Sequence, residues 1–125
     1  MDWNKYPSFK KREFDCKHTG KNLMRPEFME TLQQIRNTYG RPLIVSSGYR
    51  DPSHPVEAKK EAPGEHTYGV AADILIRGEN AMDLIVIAYG YGIRRIGVHQ
   101  KGDDRFIHLG MGDKGLGFPA TIWTY

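Results

Sequence analysis

Gly69-Val-Ala-Ala-Asp-Ile-Leu-Ile76 is the stretch whose reading decides the fold. Alternation puts Val70, Ala72, Ile74 and Ile76 on one face and Ala71, Asp73 and Leu75 on the other, which is the period of a strand. An aspartate inside such a run is expensive, because an ionised carboxylate out of water costs several kcal/mol unless a cation or strong donors compensate it. A bound metal ion would compensate it. His66 stands seven residues before Asp73, at the end of a long loop, and His108 lies within a later apolar run. Two imidazoles and a carboxylate brought together from a loop and two strands, with a fourth position left for water, make a catalytic zinc donor set. The same three residues also fit a loop histidine, a sheet histidine and a buried carboxylate paired with an arginine.

Working outward, Pro26 to Tyr39 carries Phe28, Leu32, Ile35 and Tyr39 at helical spacing, with proline in the first turn and Gly40 just past the end. Pro42 to Ser47 reads as a short buried strand stopped by Gly48. Residues 51–65, DPSHPVEAKKEAPGE, contain three prolines and predict a surface loop of a length that is usually functional or disordered. Beyond the central strand, Asn80 is placed to cap a helix running to about Tyr89, ended by Gly90 and Gly92. Arg94 to His99 and Arg105 to Leu109 flank a turn-rich stretch and predict a β-hairpin. Within it Ile107 and Leu109 share one face and Phe106 and His108 the other, and Gly97 is expected opposite His108, leaving room for a metal and substrate. The tail is glycine-rich and closes on Ile122, Trp123 and Tyr125. Two helices and at least four strands make the class α+β, a small, mostly antiparallel sheet flanked by helices.

With 125 residues, 39% hydrophobic and 26% charged, the chain fits one domain over residues 1–125 and excludes two full domains, a disordered tail or a repeat array. The first twenty residues are too polar for a signal peptide or membrane span, so the expectation is synthesis in the cytosol. Cys16 is the single cysteine, which excludes an internal disulfide and every metal site built on paired thiolates. Any metal therefore needs histidine and carboxylate ligands. The net charge is +3, and the lysines and arginines of the first 25 residues read as a solvated face. No nucleic-acid-binding motif is present, and few aromatics are interleaved with that basic run.

The run Ser47-Gly-Tyr-Arg50, then His66-x-x-Gly69-x-Ala71-x-Asp73, then Phe106-Ile-His108 resembles the zinc D-alanyl-D-alanine carboxypeptidase family. That family includes phage endolysins cutting L-alanyl-D-glutamate bonds and shares its fold and zinc ligands with the hedgehog signalling domain. The resemblance spans roughly Phe14 to Trp123 and implies one zinc ion per chain, held by His66, Asp73 and His108. It implies a substrate side built from Ser47, Tyr49, Arg50 and His54, where the planar guanidinium of Arg50 suits a carboxylate or carbonyl. The implied substrate is the peptide stem of bacterial peptidoglycan, reached after release from the cell or as part of a phage particle.

Two positions depart from the family pattern. Gly64 stands where relatives carry serine, two residues before the first histidine, and Arg105 stands where several relatives place the acidic general base. The proton shuttle is therefore expected from the hairpin, with Asp104 ahead of His99 and Asp103. Asp104 shares strand parity with His108, but four residues of regular strand span roughly 13 Å, so a bulge or bent turn is needed. The alternative is a catalytically inactive, zinc-stabilised module that binds cell wall or protein. His18 with Cys16, and the stretch Gly110 to Gly117, read as structural.

Overall fold

The structure, a computed structural model, describes residues 1–112 and 114–125. Asp113, in the glycine-rich tail, lies outside the described residues. Helix α1 runs Pro26–Tyr39, opens on its proline and stops where Gly40 takes a left-handed φ of 77°, as the sequence spacing predicts. Strand β1 is Ile44–Ser47, and one short turn of helix, α2 (Pro55–Ala58), forms inside the expected loop. Strand β2 is Ala71–Leu75, and helix α3 spans Gly78–Gly90. The hairpin is β3 (Arg95–His99) and β4 (Phe106–Gly110), followed by β5 (Thr121–Thr124).

Asn80 does not cap α3. The helix starts before it, with the Gly78 N–H donating to the Gln100 side-chain oxygen at 3.1 Å, while the Asn80 oxygen accepts from Arg41 at 2.9 Å. The capping acceptor comes from the far end of β3, so no local signal marks it.

The five strands form one sheet in the order β1-β2-β4-β3-β5, antiparallel throughout except for the parallel β3–β5 pair. One face of this sheet carries Ala72, Ile74, Ile96, Ile107 and Leu109, which are buried with Phe28, Leu32 and Ile35 of α1 and Leu84 and Ala88 of α3. Each large aliphatic or aromatic side chain there contributes about 1.5–3 kcal/mol by leaving water. The amino-terminal segment adds Tyr6, Phe9 and Phe14 to the same core, tied to the β1 end by the Tyr49 N–H donating to the Phe14 carbonyl at 2.9 Å. Among the described residues no helix is long and apolar enough to cross a membrane.

The other face is what matters for chemistry. Register sets Ser47 beside Asp73, Asp73 beside His108, His108 beside Gly97 and Gly97 beside Trp123. A single row across all five strands thus holds two polar side chains of the central strands between a small residue and an aromatic one.

Candidate metal centre

His66 reaches this row from a 3-10 turn, Glu65–Tyr68, that Gly69 ends with a left-handed φ of 71°. The Nδ1–H of His66 donates to the Gly48 carbonyl at 2.7 Å, which leaves Nε2 facing Asp73 Oδ1 at 3.3 Å. From the neighbouring strand, His108 turns Nδ1 to the same Asp73 oxygen at 3.0 Å, and its Nε2 contacts Glu65. His66, Asp73 and His108 are all buried, and one donor atom from each lies within 4.8 Å of the others. Among the described residues no other trio of His, Cys, Asp or Glu converges in this way.

The electrostatics of the trio follow from burial. Burial opposes the charge on Asp73, yet the imidazoles of His108 and His66, which in their protonated forms donate to it and carry positive charge, hold its carboxyl far below the usual carboxylate range. Burial pushes His66 down, and the attraction of Asp73 only partly offsets it. His108 is raised, because hydrogen bonds to Asp73 and Glu65 outweigh its burial. A neutral His66 whose Nδ1–H is committed to Gly48 aims a lone pair at a carboxylate oxygen. Two lone pairs facing each other across 3.3 Å in a buried site favour a cation between them. The donor set of two imidazoles and one carboxylate therefore fits a divalent metal of the zinc type.

The second oxygen of Asp73 is held by Arg50, whose Nη2 donates at 3.2 Å while Nη1 donates to Glu57 at 3.1 Å. Glu57 is wholly buried and also accepts from Lys60 and from the Gly64 N–H at 2.8 Å. It is the anchor that folds the 51–65 loop and delivers Gly64, Glu65 and His66 to the sheet. A Cβ on Gly64 would come within 3.0 Å of the Lys60 ammonium and 3.2 Å of Glu57, so glycine fits this packing where the family pattern has serine.

The centre lies in a cleft of about 310 Å³ lined by Arg50, Lys60, Arg95 and an aromatic wall of Phe106, Phe118, Trp123 and Tyr125. A larger groove of about 560 Å³ between α3 and β5 is apolar and carries no such cluster. Gly97 does lie opposite His108, but the space beside it is taken by Trp123. A Cβ at Gly97 would meet the indole at 2.7 Å, so the missing side chain admits an aromatic wall and not the metal and substrate.

The remaining expected site residues are dispersed. Of the four on the expected substrate side, Arg50 lines the cleft. Tyr49 is buried in the core, Ser47 pairs with Asp73 through the sheet, and His54 caps α2 by accepting from the Val56 N–H at 3.1 Å. Asp103 and Asp104 sit in the β3–β4 turn and line a separate groove with Leu75, Ile76, Arg77 and Asn80. Arg105 donates to the Gly102 carbonyl of that turn at 2.9 Å. His99 stacks on Phe106 at 5.0 Å and meets Tyr125 edge-on at 5.8 Å, with its Nδ1 buried and without a hydrogen-bond partner among the described residues.

Glu57, Glu65, Arg95, Trp123 and Tyr125 carry no site role in the sequence reading, where the last two appear only as the apolar end of the tail. The last two carried a readable signal, the period-two spacing of Thr121-Ile-Trp-Thr-Tyr125.

Metal affinity of this site should rise with pH. In protonated His108 the hydrogen on Nδ1, which faces Asp73, must leave before that nitrogen can bind a metal, while the one on Nε2 stays with Glu65. Below the raised His108 value, each pH unit should weaken zinc binding by up to about tenfold. Competition against a chromophoric chelator at pH 5.5, 6.5 and 7.5 checks this, and a pH-independent affinity contradicts it.

Comparison with known proteins agrees with this geometry. No curated protein matches the chain. A family model described as Peptidase M15 matches residues 7–110, a stretch that holds all three donors and every strand except β5. The chain belongs to the peptidase M15 family of zinc peptidases.

Proposed function

We propose that this protein is a zinc-dependent peptidase that hydrolyses peptide-stem bonds of bacterial peptidoglycan, of the D-Ala-D-Ala carboxypeptidase or L-Ala-D-Glu endopeptidase type. The observation that carries the reading is the buried His66–Asp73–His108 trio, with its outward nitrogens already occupied, at the base of an open cleft. Bound there, zinc supplies Lewis acidity that activates water and polarises a scissile carbonyl.

The chain's own residues do the rest. Arg50 fixes the orientation of Asp73, and although it and Lys60 are paired with Glu57, both line one end of the cleft, where their remaining N–H groups suit a stem-peptide carboxylate. Phe106, Trp123 and Tyr125 give the peptide an apolar wall and exclude water from the reacting bond. The proton shuttle falls to His99 ahead of Asp104, since His99 packs against two residues of the cleft wall while Asp104 lines another groove. The protein reaches its substrate after release from the cell or on a phage particle.

Muropeptide digestion followed by mass analysis tests this reading. The expected result is loss of a terminal residue or cleavage within the stem, abolished by chelator and restored by zinc. His99→Ala should lower turnover by roughly 10²- to 10⁴-fold and Asp104→Asn should not. A zinc-loaded protein that cleaves no stem overturns the enzymatic reading in favour of a binding module.

A further inference from the structure

Glu65 precedes a metal ligand in sequence yet stands outside the donor trio, and its surroundings are unusual. It is 3% exposed. Its Oε1 lies in hydrogen-bond contact with His108 Nε2 and accepts from Arg95 Nε at 3.0 Å, while its Oε2 is buried with no hydrogen-bond partner among the described residues. Leaving a carboxylate oxygen buried and unpaired is costly, so the position is held by something stronger than local preference.

Two features hold it. Arg95 is itself pinned, donating to the Pro119 carbonyl at 2.6 Å and lying over the Trp123 ring at 5.0 Å. Gly110, two residues beyond His108 on β4, leaves a slot under the carboxylate: a Cβ there would come within 2.3 Å of both Glu65 oxygens. The slot and the guanidinium together fix the carboxylate against the outer nitrogen of His108.

We infer that Glu65 is a positioning residue for the metal centre, locking His108 in the tautomer that carries hydrogen on Nε2 and turns the Nδ1 lone pair toward Asp73 and His66. A neutral imidazole can place its hydrogen on either nitrogen, and only one choice leaves Nδ1 free to bind a metal. Each nitrogen of His108 faces a carboxylate oxygen, and when a metal takes the Asp73 side, Glu65 keeps the hydrogen on Nε2. Arg95 extends the arrangement to the tail: Pro119 and Trp123 lie beyond residues 7–110, so residues outside the family match steady a ligand inside it. This inference rests on the zinc reading above.

Zinc affinity, measured per folded molecule by chelator competition, is the readout, with the melting temperature of the zinc-free protein recorded alongside. Glu65→Ala should weaken zinc binding about 10- to 100-fold. Glu65→Gln, which keeps an acceptor oxygen for the Nε2–H, should recover most of that loss. Gly110→Ala, which changes neither a ligand nor Glu65 itself, should weaken binding by displacing the carboxylate. Nitrogen-15 spectra of the zinc-loaded protein should show His108 protonated at Nε2 in the unmodified chain.

Unchanged affinity in Glu65→Ala, or a drop in melting temperature with affinity intact, overturns the inference. Should Glu65→Ala fail to fold, near-normal binding in Glu65→Gln with weakened binding in Gly110→Ala supports it, and equal binding in both overturns it. An unmodified protein that binds no zinc refutes instead the reading on which the inference rests.

Discussion

On the function proposed above, His66→Ala and His108→Ala should each lower bound zinc from near one equivalent per chain toward none, and hydrolysis of peptide stems with it. Each variant removes one of only three protein donors that converge among the described residues, so the remaining pair holds the ion too weakly to survive dialysis. Loss of the Lewis acid forfeits several kcal/mol of transition-state stabilisation, on the order of 10³-fold or more in rate. The two variants differ in what they leave behind. Without His108, Asp73 and Glu65 face each other's surroundings with one shared proton donor fewer, whereas without His66 the Gly48 carbonyl loses its partner. Metal analysis of purified variants checks the first expectation and stem digestion the second. Full zinc occupancy in both variants would remove these residues from the site.

Gly69→Ala should be the most damaging single change to the fold that leaves every donor in place. Gly69 takes a φ of 71°, and a Cβ there would lie 2.0 Å from the Leu23 carbonyl oxygen, which is backbone and has no room to give. The Arg25 N–H donates to the Gly69 carbonyl at 3.0 Å, so the two segments are also tied at this point. A side chain in the left-handed region costs about 1–3 kcal/mol, and overpacking a tight contact adds about 1–3 kcal/mol more. Against a domain stability of about 5–15 kcal/mol, that predicts a fall in melting temperature on the order of 10 °C or more. Gly90→Ala is the control, because nothing lies within 4 Å of a Cβ at that helix end. Equal melting temperatures for the two variants would mean that the 66–69 turn relaxes freely and does not position His66.

The glycine shows how a sequence motif and a structure divide the explanation. In the chain, His66-x-x-Gly69-x-Ala71-x-Asp73 is a spacing, and the strand period explains only its second half. The first half needs the Leu23 backbone, more than forty residues upstream, to explain why no side chain is tolerated. The same division separates Asp73 from Glu57 and Glu65. Asp73 announces itself because a charge interrupts an apolar alternation, while the two glutamates sit in a polar, proline-containing stretch where acids are ordinary. Their burial becomes visible only when the loop folds over Arg50, Lys60 and Arg95.

By itself, the sequence determined the α1 boundaries, the β3–β4 hairpin and its facing of His108, the α+β class, and a donor trio limited to histidine and carboxylate. Those are consequences of periodicity, breaker residues and the chemistry of side chains, all of which are local. Tertiary structure alone decided that β5 pairs in parallel with β3 and fills the space beside Gly97 with Trp123. It alone decided that the α3 cap comes from Gln100, that Asp103 and Asp104 line a different groove, and that Glu65 backs His108. Each of these depends on which distant segments share a surface, and side-chain order along a strand says which face a residue takes but not what will lie across from it.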